Sequence, residues 1–232
     1  MTIKKAMILA AGFGKRMLPL TIRTPKPLIK IGLKNLLERS IELLAKIGID
    51  EIVINTHHLS DEIDNFLKNN NYQISVTLIK EEVLLDTGGG ILNATKNFKN
   101  EPFFVLNPDT IWNKNYYEEL KILENAYLEN NKPILLLVDK INSYDKSFRG
   151  DFNFTKNNII IRETSNQYIF TGAQIINRSI FKTINKKIFS MNVVWDQMIK
   201  EKKLLGQESS QTFFHVNNFK VYEQLNKLKF ID

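Results

Sequence analysis

The sequence contains no cysteine, so disulfide bonds and metal sites built from thiolates are excluded. It has no apolar run near the length of about 20 residues that a membrane-spanning helix needs. It also lacks internal repeats, low-complexity tracts and flexible linkers, and it has only three histidines. No arrangement of serine, histidine and aspartate, or of cysteine and histidine, indicates a covalent nucleophile. These absences argue against a membrane-bound protein, a disulfide-stabilised protein and an enzyme that uses a covalent nucleophile. The lack of linkers leaves no firm domain boundary.

The composition of the chain fits one globular domain over residues 1–232. Hydrophobic residues make up 43% of the chain and charged residues 25%, enough for a core and a polar surface. The N-terminal apolar segment is short and runs directly into a glycine-containing loop. As a secretion signal it would lack a convincing cleavage site, so we predict a first β-strand and a cytoplasmic protein.

The net charge is +7, which makes the protein basic. A basic surface attracts nucleic acid, membrane surfaces or small anions such as nucleotides and sugar phosphates. The lysines are spread along the chain among asparagine and isoleucine, and no basic motif interleaved with aromatic residues accompanies them. We therefore predict small phosphorylated partners, and neither nucleic acid nor a membrane.

Short apolar runs alternate with amphipathic helix patterns in the first half of the chain, and the second half is less regular. This order predicts an α/β fold with a mainly parallel sheet covered by helices. Predicted strands cover 6–10, 51–55, 74–79, 103–106, 134–138, 170–176 and 213–216, with a hairpin at 151–155 and 159–162. Predicted helices cover 35–47, 61–68, 91–97, 193–200 and 219–228.

The strongest chemical signal is LAAGFGKRMLPLTIRTPKPLIKI, residues 9–31. Glycines after a first strand let backbone N–H groups approach an anion, and Arg16 and Lys26 supply cations for a polyphosphate. The prolines on both sides of Lys26 hold that segment extended. The loop is not the dinucleotide fingerprint, since Met17 stands where the third glycine belongs, and it does not end in the Gly-Lys-Ser/Thr of a Walker A loop. A Gly-x-Gly after a strand by itself is usually a tight turn, so the whole string carries the argument.

This string resembles the sugar-1-phosphate nucleotidyltransferases, whose hallmark is L-A-A-G-x-G-x-R-x-x-P-L-T followed by P-K-P-L. The resemblance implies a Rossmann-like three-layer nucleotidyltransferase fold and transfer of a nucleotide from a nucleoside triphosphate to a sugar 1-phosphate, with Mg²⁺ or possible use of Mn²⁺. It implies a nucleotide-binding half at 1–110 and a sugar-phosphate-binding half at 111–232. It assigns catalysis to Arg16, Lys26 and Asp109, and nucleotide binding to Leu9, Ala10, Ala11, Gly12, Gly14 and Lys15.

A second signal is VLNPDTIW, residues 105–112, where Asp109 follows a buried strand. A carboxylate there points towards the crevice in which α/β proteins bind ligands, and it needs a counter-ion. Mg²⁺ accepts one or two carboxylates together with phosphate oxygens and water, so Asp109 is a candidate metal ligand. The alternative is an aspartate that caps the next turn. The resemblance supports the metal ligand, although Pro108 stands where those enzymes usually have glycine.

A third signal is LLDTGGGILNA, residues 84–94. Consecutive glycines before a helix make either a flexible turn or a bare backbone surface on which a flat base can lie. The resemblance favours the second reading and places Glu81, Gly88 and Gly89 at the nucleotide. The form D-T-G-G-G-I is similar to the N-acetylmuramate-1-phosphate uridylyltransferases of cell-wall recycling. That branch implies sugar-phosphate binding by Asn107, Gly150, Asp151, Thr171 and Gly172, with Asp151 equally suited to a turn.

The sequence departs from the family near its C-terminus. Related enzymes carry W-x-D-[VI]-G-T, whose aspartate binds the metal, whereas FFHVNN at 213–218 places His215 there. His215 then binds the metal, contacts the phosphates or marks a weakened enzyme, and imidazole suits Mn²⁺ better than Mg²⁺. The rival functions are a mannose-1-phosphate guanylyltransferase and a non-catalytic nucleotide-sugar sensor. Larger relatives add a left-handed β-helix or an oligomerising tail. This sequence is too short for either, so we expect a monomer or weak homodimer.

Overall fold

The structure is a computed structural model that describes residues 2–228. Its centre is a seven-stranded sheet, with two short two-stranded ribbons beside it. The strands are β1 (Lys5–Leu9), β2 (Lys30–Ile31), β3 (Lys34–Asn35), β4 (Glu51–Thr56), β5 (Ser75–Lys80), β6 (Phe103–Leu106), β7 (Ile134–Asp139), β8 (Asn153–Phe154), β9 (Ile160–Ile161), β10 (Tyr168–Ile176) and β11 (Leu205–Ser209). The sheet order is β11-β7-β10-β6-β1-β4-β5, and β10 alone runs antiparallel to its neighbours.

Six α-helices are described, and the capping of the first one follows from its sequence. The side chain of Asn35 accepts the N–H of Glu38, and the Glu38 side chain accepts the N–H of Asn35, which satisfies two orphan donors at the helix start. Gly48 ends the helix with a left-handed backbone at φ 95°. The helices are α1 (Leu36–Ile47), α2 (Ser60–Lys68), α3 (Asp86–Ala94), α4 (Tyr116–Asn130), α5 (Met191–Lys200) and α6 (Phe219–Leu225).

Both faces of the sheet are covered, which confirms the three-layer α/β prediction with a mainly parallel sheet. Successive residues of a strand point to opposite faces. In β1, Ala6 and Ile8 therefore pack with the core beside α1, α2 and α4, whereas Met7 packs with the core beside α3 and α5. The central residues of the strand, 6–8, are fully buried between the two helix layers, which explains their apolar character.

Two predictions about local structure were wrong, and one helix was not predicted. The helix expected at 91–97 starts at Asp86 and ends at Ala94, so the three consecutive glycines lie inside α3 and not before it. Residues 213–216 form only isolated bridges with Thr110 and Ser143, and the seventh sheet strand is β11. Helix α4, which covers 15 residues, was not predicted.

The predicted hairpin at 151–155 and 159–162 is present but reduced to the two-residue strands β8 and β9. Over residues 2–228, none of the helices combines the length and apolar character required for crossing a membrane.

Candidate active site

A cleft of about 360 Å³ opens at the carboxyl ends of β1, β4 and β6. Parallel α/β sheets bind ligands at this edge, because the loops that leave neighbouring strands diverge there. The cleft brings together the glycine loop and the segment after β6, as the sequence predicted. Its lining is Leu9, Ala10, Ala11, Gly12, Gly14, Lys15, Arg16, Met17, Lys26, Pro27, Asn55, Leu84, Asp86, Thr87, Asn107, Pro108, Asp109 and Asn217.

The glycine loop is folded by its own hydrogen bonds into a fixed turn. Gly14 has a left-handed backbone at φ 63°, and its carbonyl accepts the N–H of Met17 at 2.8 Å and the hydroxyl of Thr21 at 3.0 Å. A Cβ at Gly14 would lie 2.8 Å from the Thr21 methyl carbon. Gly12 is different, because a Cβ there would meet nothing within 4 Å. Gly14 is therefore needed for the turn itself, whereas the space beside Gly12 is open.

These two glycines give a matched pair of alanine substitutions. Gly14→Ala is expected to destabilise the protein by about 1–2 kcal/mol, because an alanine in the left-handed region is strained and its methyl group meets Thr21. Gly12→Ala is expected to leave the free energy of unfolding within about 0.5 kcal/mol of the wild-type value. Urea denaturation of both variants checks this difference. Equal stability of the two variants would contradict the assigned turn.

Lys26 and Asp109 line the cleft, and the His215 imidazole lies beside Asp109. Lys26 Nζ lies 2.5 Å from Asp109 Oδ2, and His215 Nε2 lies 3.2 Å from the same oxygen. Burial alone would raise the pKa of Asp109, but the charge of Lys26, the neighbouring His215 and the Lys26 hydrogen bond lower it to about 2. Asp109 is therefore a carboxylate at neutral pH.

His215 reaches Asp109 because residues 213–216 run beside the segment that follows β6. Ile111 N–H donates to the Phe214 carbonyl at 2.9 Å, and Val216 N–H donates to the Asp109 carbonyl at 2.8 Å. The imidazole stacks on Phe148, with ring centroids 5.8 Å apart and planes at 20°.

The surroundings of His215 favour its neutral form. Burial lowers the pKa of His215, and the charges of Lys26 and Arg16 act in the same direction, against the attraction of the nearby carboxylates. Neither ring nitrogen has a hydrogen-bond partner within residues 2–228. A neutral imidazole with a free lone pair can bind a metal ion.

The residues present fit a divalent metal ion that is shared with a polyphosphate. Asp109 Oδ1 is buried and has no hydrogen-bond partner in the described part of the chain. Together with His215 it supplies two donors, and no group of three or more His, Asp or Glu suited to a metal occurs among residues 2–228. Mg²⁺ usually completes its coordination with water and substrate phosphates, so a site with few protein ligands is compatible with it.

The predicted base-side residues lie behind the cleft wall and do not line it. Glu81 is 3% exposed, and its two carboxylate oxygens accept Asn55 Nδ2 at 2.7 Å and Leu85 N–H at 3.0 Å. A Cβ at Gly88 would lie 2.4 Å from the Phe189 ring, and one at Gly89 would lie 2.4 Å from the carbonyl oxygen of residue 187. These glycines allow the 187–189 segment to pack on α3, while Leu84, Asp86 and Thr87 face the cleft.

Of the predicted sugar-phosphate residues, Asn107 lines the cleft. Its N–H donates to the Gly172 carbonyl at 2.8 Å, and a Cβ at Gly172, where φ is 96°, would lie 2.9 Å from Asn107 Cβ. Thr171 is buried and donates its hydroxyl to the Leu136 carbonyl at 2.8 Å. Gly172 therefore supports Asn107 from behind, whereas Thr171 is bonded to β7.

Gly150 and Asp151 lie outside the cleft lining as well. Asp151 Oδ2 accepts the N–H of Phe170 at 2.9 Å. Gly150 has φ 82°, and a Cβ there would lie 2.3 Å from the Asn166 carbonyl oxygen. Both residues hold the turn that precedes β8 against β10, and their contact with a sugar phosphate stays a prediction.

Sequence reasoning missed two asparagines that line the cleft, Asn55 and Asn217. Asn217 Nδ2 donates to Asp145 Oδ2 at 2.9 Å, and this bond is one of those that lower the pKa of Asp145 against the effect of burial. A signal for Asn55 was available, since it is a polar residue at the carboxyl end of a buried strand. Asn217 follows an irregular segment whose position the sequence does not indicate.

Several known proteins are similar to this chain in sequence, and the matches cover different shares of the chain. A family described as nucleotidyl transferase matches residues 5–143. N-acetylmuramate alpha-1-phosphate uridylyltransferase of Caulobacter vibrioides is 25% identical over 93% of this chain and 92% of its own length. Mannose-1-phosphate guanylyltransferase 1 of Arabidopsis thaliana is 38% identical over 46% of this chain, and the match spans 31% of that enzyme's length.

Solved structures share the whole fold. HddC from Yersinia pseudotuberculosis complexed with GMP-PN superposes with a TM-score of 0.77 at 23% identity, covering 97% of this chain and 99% of HddC. UDP-glucose pyrophosphorylase complexed with UDP-glucose gives a TM-score of 0.79 at 18% identity, with 97% of each chain covered. At these identities the likeness establishes the fold.

Proposed function

Because this chain belongs to the nucleotidyl transferase family, we propose that it transfers a nucleoside monophosphate from a nucleoside triphosphate to a sugar 1-phosphate and releases pyrophosphate. The observation that carries the proposal is the convergence of the glycine loop with Lys26 and Asp109 in one cleft. Backbone N–H groups, a mobile ammonium group and an ionised carboxylate are the parts that an anionic phosphoryl transfer needs.

The chain's own residues act by positioning and by neutralising charge. The attacking phosphate of a sugar 1-phosphate is already an anion, so neither a protein base nor a protein nucleophile is required. Arg16 stands in the loop, where it binds the leaving phosphates, and Lys26 binds the α-phosphate. A divalent ion held by Asp109 and His215 would supply further neutralisation of phosphate charge.

For the substrates we propose UTP and N-acetylmuramate 1-phosphate. The Caulobacter uridylyltransferase supports this choice, because the two chains correspond over nearly their whole lengths. GTP with mannose 1-phosphate is the second candidate, supported by the higher local identity to the Arabidopsis guanylyltransferase. We also propose a cytoplasmic location for this activity and, for the first pair of substrates, a role in cell-wall recycling.

Pyrophosphate release tests the proposal directly. UTP, GTP, CTP, ATP and dTTP are each combined with the 1-phosphates of N-acetylmuramate, mannose, glucose and N-acetylglucosamine, first with Mg²⁺ and then with Mn²⁺. Turnover with UTP and the muramate is expected, and preference for GTP with mannose would move the assignment to the second candidate. Nucleotide binding without turnover in either metal would support a sensor and overturn the enzymatic proposal.

We further propose that His215 is a metal ligand, which predicts an altered metal preference. Replacing His215 with aspartate is expected to raise the ratio of turnover in Mg²⁺ to turnover in Mn²⁺ by roughly tenfold, because carboxylate oxygen suits Mg²⁺ better than imidazole nitrogen. Electron paramagnetic resonance of Mn²⁺ with bound nucleotide should show weaker Mn²⁺ binding to His215→Ala, which removes the imidazole and adds no new ligand. An unchanged ratio in His215→Asp and an unchanged Mn²⁺ affinity in His215→Ala would exclude His215 from the metal.

A further inference from the structure

A buried hydrogen-bond relay runs from Asn55, in the lining of the cleft, to residues behind the cleft wall beside α3. Asn55, at the end of β4, accepts the N–H of Ala10 on its Oδ1 at 3.0 Å and donates Nδ2 to Glu81 Oε1 at 2.7 Å. Glu81 Oε2 then accepts the N–H of Leu85 at 3.0 Å. Each donor and acceptor in the relay has one possible direction, because a carboxylate only accepts and a backbone N–H only donates.

The relay joins two segments that both contribute residues to the lining of the cleft. The phosphate-side loop, residues 10–16, begins at Ala10, and the base-side turn, residues 84–87, contains Leu85. The Ala10 N–H is shared between Asn55 Oδ1 and the Asn55 carbonyl, the latter at 3.2 Å. The backbone pairing of β1 with β4 therefore also holds Ala10 in place. The side chains of Asn55 and Glu81 are the link that reaches from this pairing to the base-side turn.

Fold stability alone does not explain a carboxylate at this position. Glu81 is 3% exposed and Asn55 is 2% exposed, and Glu81 forms no ion pair with a cation in residues 2–228. An ionised carboxylate with neutral partners is costly to bury. An apolar pair of similar volume would avoid that cost, although the Leu85 N–H would lose its acceptor. What an apolar pair would not give is directional attachment of both segments.

The packing around the relay is specialised to keep it in place. A Cβ at Gly90 would lie 2.7 Å from Asn55 Nδ2 and 2.9 Å from Glu81 Oε1. Glycine is a poor residue for a helix interior, yet any larger side chain at this position of α3 would press on both members of the relay. A backbone hydrogen bond also holds Glu81 in place, because its N–H donates to the Thr56 carbonyl at 2.7 Å.

We propose that Asn55 and Glu81 are positioning residues that set the distance between the phosphate-side loop and the base-side turn, and so determine affinity for the nucleoside triphosphate. This inference rests on the proposed function of the cleft. Glu81 then affects nucleotide binding without contacting the nucleotide, because both of its carboxylate oxygens accept hydrogen bonds from protein groups. Neither residue contacts the reacting phosphates.

The relay can be broken by single substitutions and rebuilt by a double one. In Glu81→Gln, the glutamine side chain has one oxygen in place of two, so it cannot accept both Asn55 Nδ2 and the Leu85 N–H. Its own amide N–H donors then face one of these two donors. In Asn55→Asp, two carboxylates face each other. In the double variant Asn55→Asp/Glu81→Gln the central bond is reversed: the glutamine amide donates to Asp at 55, its oxygen accepts the Leu85 N–H, and the total charge is unchanged.

The expected result is a selective loss of nucleotide affinity in the single variants. Calorimetric Kd and KM for UTP, or for GTP if the wild type uses it, rise about tenfold or more, whereas KM for the sugar 1-phosphate stays within about threefold. The double variant returns to within about threefold of the wild-type Kd. Gly90→Ala, which removes no hydrogen-bonding group, raises Kd in the same way and serves if a single relay variant fails to fold.

Ser40→Ala is the matched control, because the buried Ser40 hydroxyl donates to the Leu36 carbonyl at 2.9 Å in α1 and does not line the cleft. It is expected to lower Tm without changing nucleotide affinity. Folded relay variants with wild-type Kd, or a double variant as weak as the worse single one, would overturn the inference while leaving the proposed function intact. A wild-type protein that binds no nucleotide would overturn both.

Discussion

Replacing Lys26 with alanine is expected to lower kcat by roughly a hundredfold to a thousandfold while the fold remains intact. The side chain projects from a short 3₁₀ turn, Lys26–Leu28, in which Pro25 and Pro27 restrict the backbone. Its ammonium group lies in the cleft, 2.5 Å from Asp109. A cation held there lowers the energy of a transition state in which negative charge develops at the α-phosphate, so its loss acts mainly on kcat.

Lys30→Ala provides the control for this substitution. Lys30 is an exposed lysine on β2, four positions along the chain, and it does not line the cleft. The control should keep wild-type kcat and the same far-ultraviolet circular dichroism. Steady-state pyrophosphate release from both variants at saturating substrates makes the comparison. Turnover of Lys26→Ala close to that of the wild type would remove the assignment of this cleft as the catalytic centre.

The sequence predicts which residues of the glycine loop line the cleft because the signals in this segment are local. Residues 9–26 form one continuous segment, and the hydrogen bonds that shape it, such as Thr21 to Gly14, join residues seven positions apart. Asp109 was predictable for a related reason. It follows a fully buried strand, and the carboxyl ends of neighbouring parallel strands open on the same edge of the sheet.

The glycines of α3 were expected to precede a helix and not to lie within one, as suits a weak helix former. Tertiary packing overrides that preference. The segment at 187–189 approaches the helix so closely that Gly88 and Gly89 leave no room for a side chain, and Gly89 N–H also donates to the Phe189 carbonyl at 3.0 Å. The partner segment is almost 100 residues away in the chain, so no local pattern reveals the contact.

Helix α4 was missed although its apolar pattern is present. Tyr116, Leu120, Leu123 and Tyr127 are buried at helical spacing. Two buried glutamates lie among them and disturb the amphipathic pattern. One of them, Glu124, accepts the N–H of Ile3 at 2.6 Å, and this long-range contact cannot be read from the helix sequence alone.

Strand β11 was missed because it is an edge strand with a mixed pattern, LGQES, that lacks the apolar run of a central strand. The aromatic segment at 213–216 looks more like a strand in sequence. It nevertheless leaves the sheet to pack beside the segment after β6, where it delivers His215 to the cleft. The second donor of the proposed metal site therefore depends on a tertiary arrangement.

Replacing Asp109 with asparagine is expected to lower kcat by roughly a thousandfold, the second large effect predicted for this site. Asparagine has nearly the same shape, so the change isolates charge. Because the pKa of Asp109 is held at about 2, the wild-type group carries a full negative charge at neutral pH. The variant loses the ion pair that aligns Lys26 and loses the carboxylate that would hold a divalent ion beside His215.

Asp139→Asn is the matched control for the carboxylate. Asp139 stands at the end of β7, and its Oδ1 accepts Ile141 N–H at 2.8 Å and Gln167 Nε2 at 2.7 Å, bonds that an asparagine oxygen can keep. It does not line the cleft, so its kcat should stay near the wild-type value. Measuring Mn²⁺ affinity with bound nucleotide separates the two functions of Asp109. Loss of both kcat and Mn²⁺ affinity fits a metal-binding carboxylate, whereas loss of kcat with unchanged Mn²⁺ affinity would restrict Asp109 to holding Lys26 in place. Wild-type kcat in Asp109→Asn would exclude both roles.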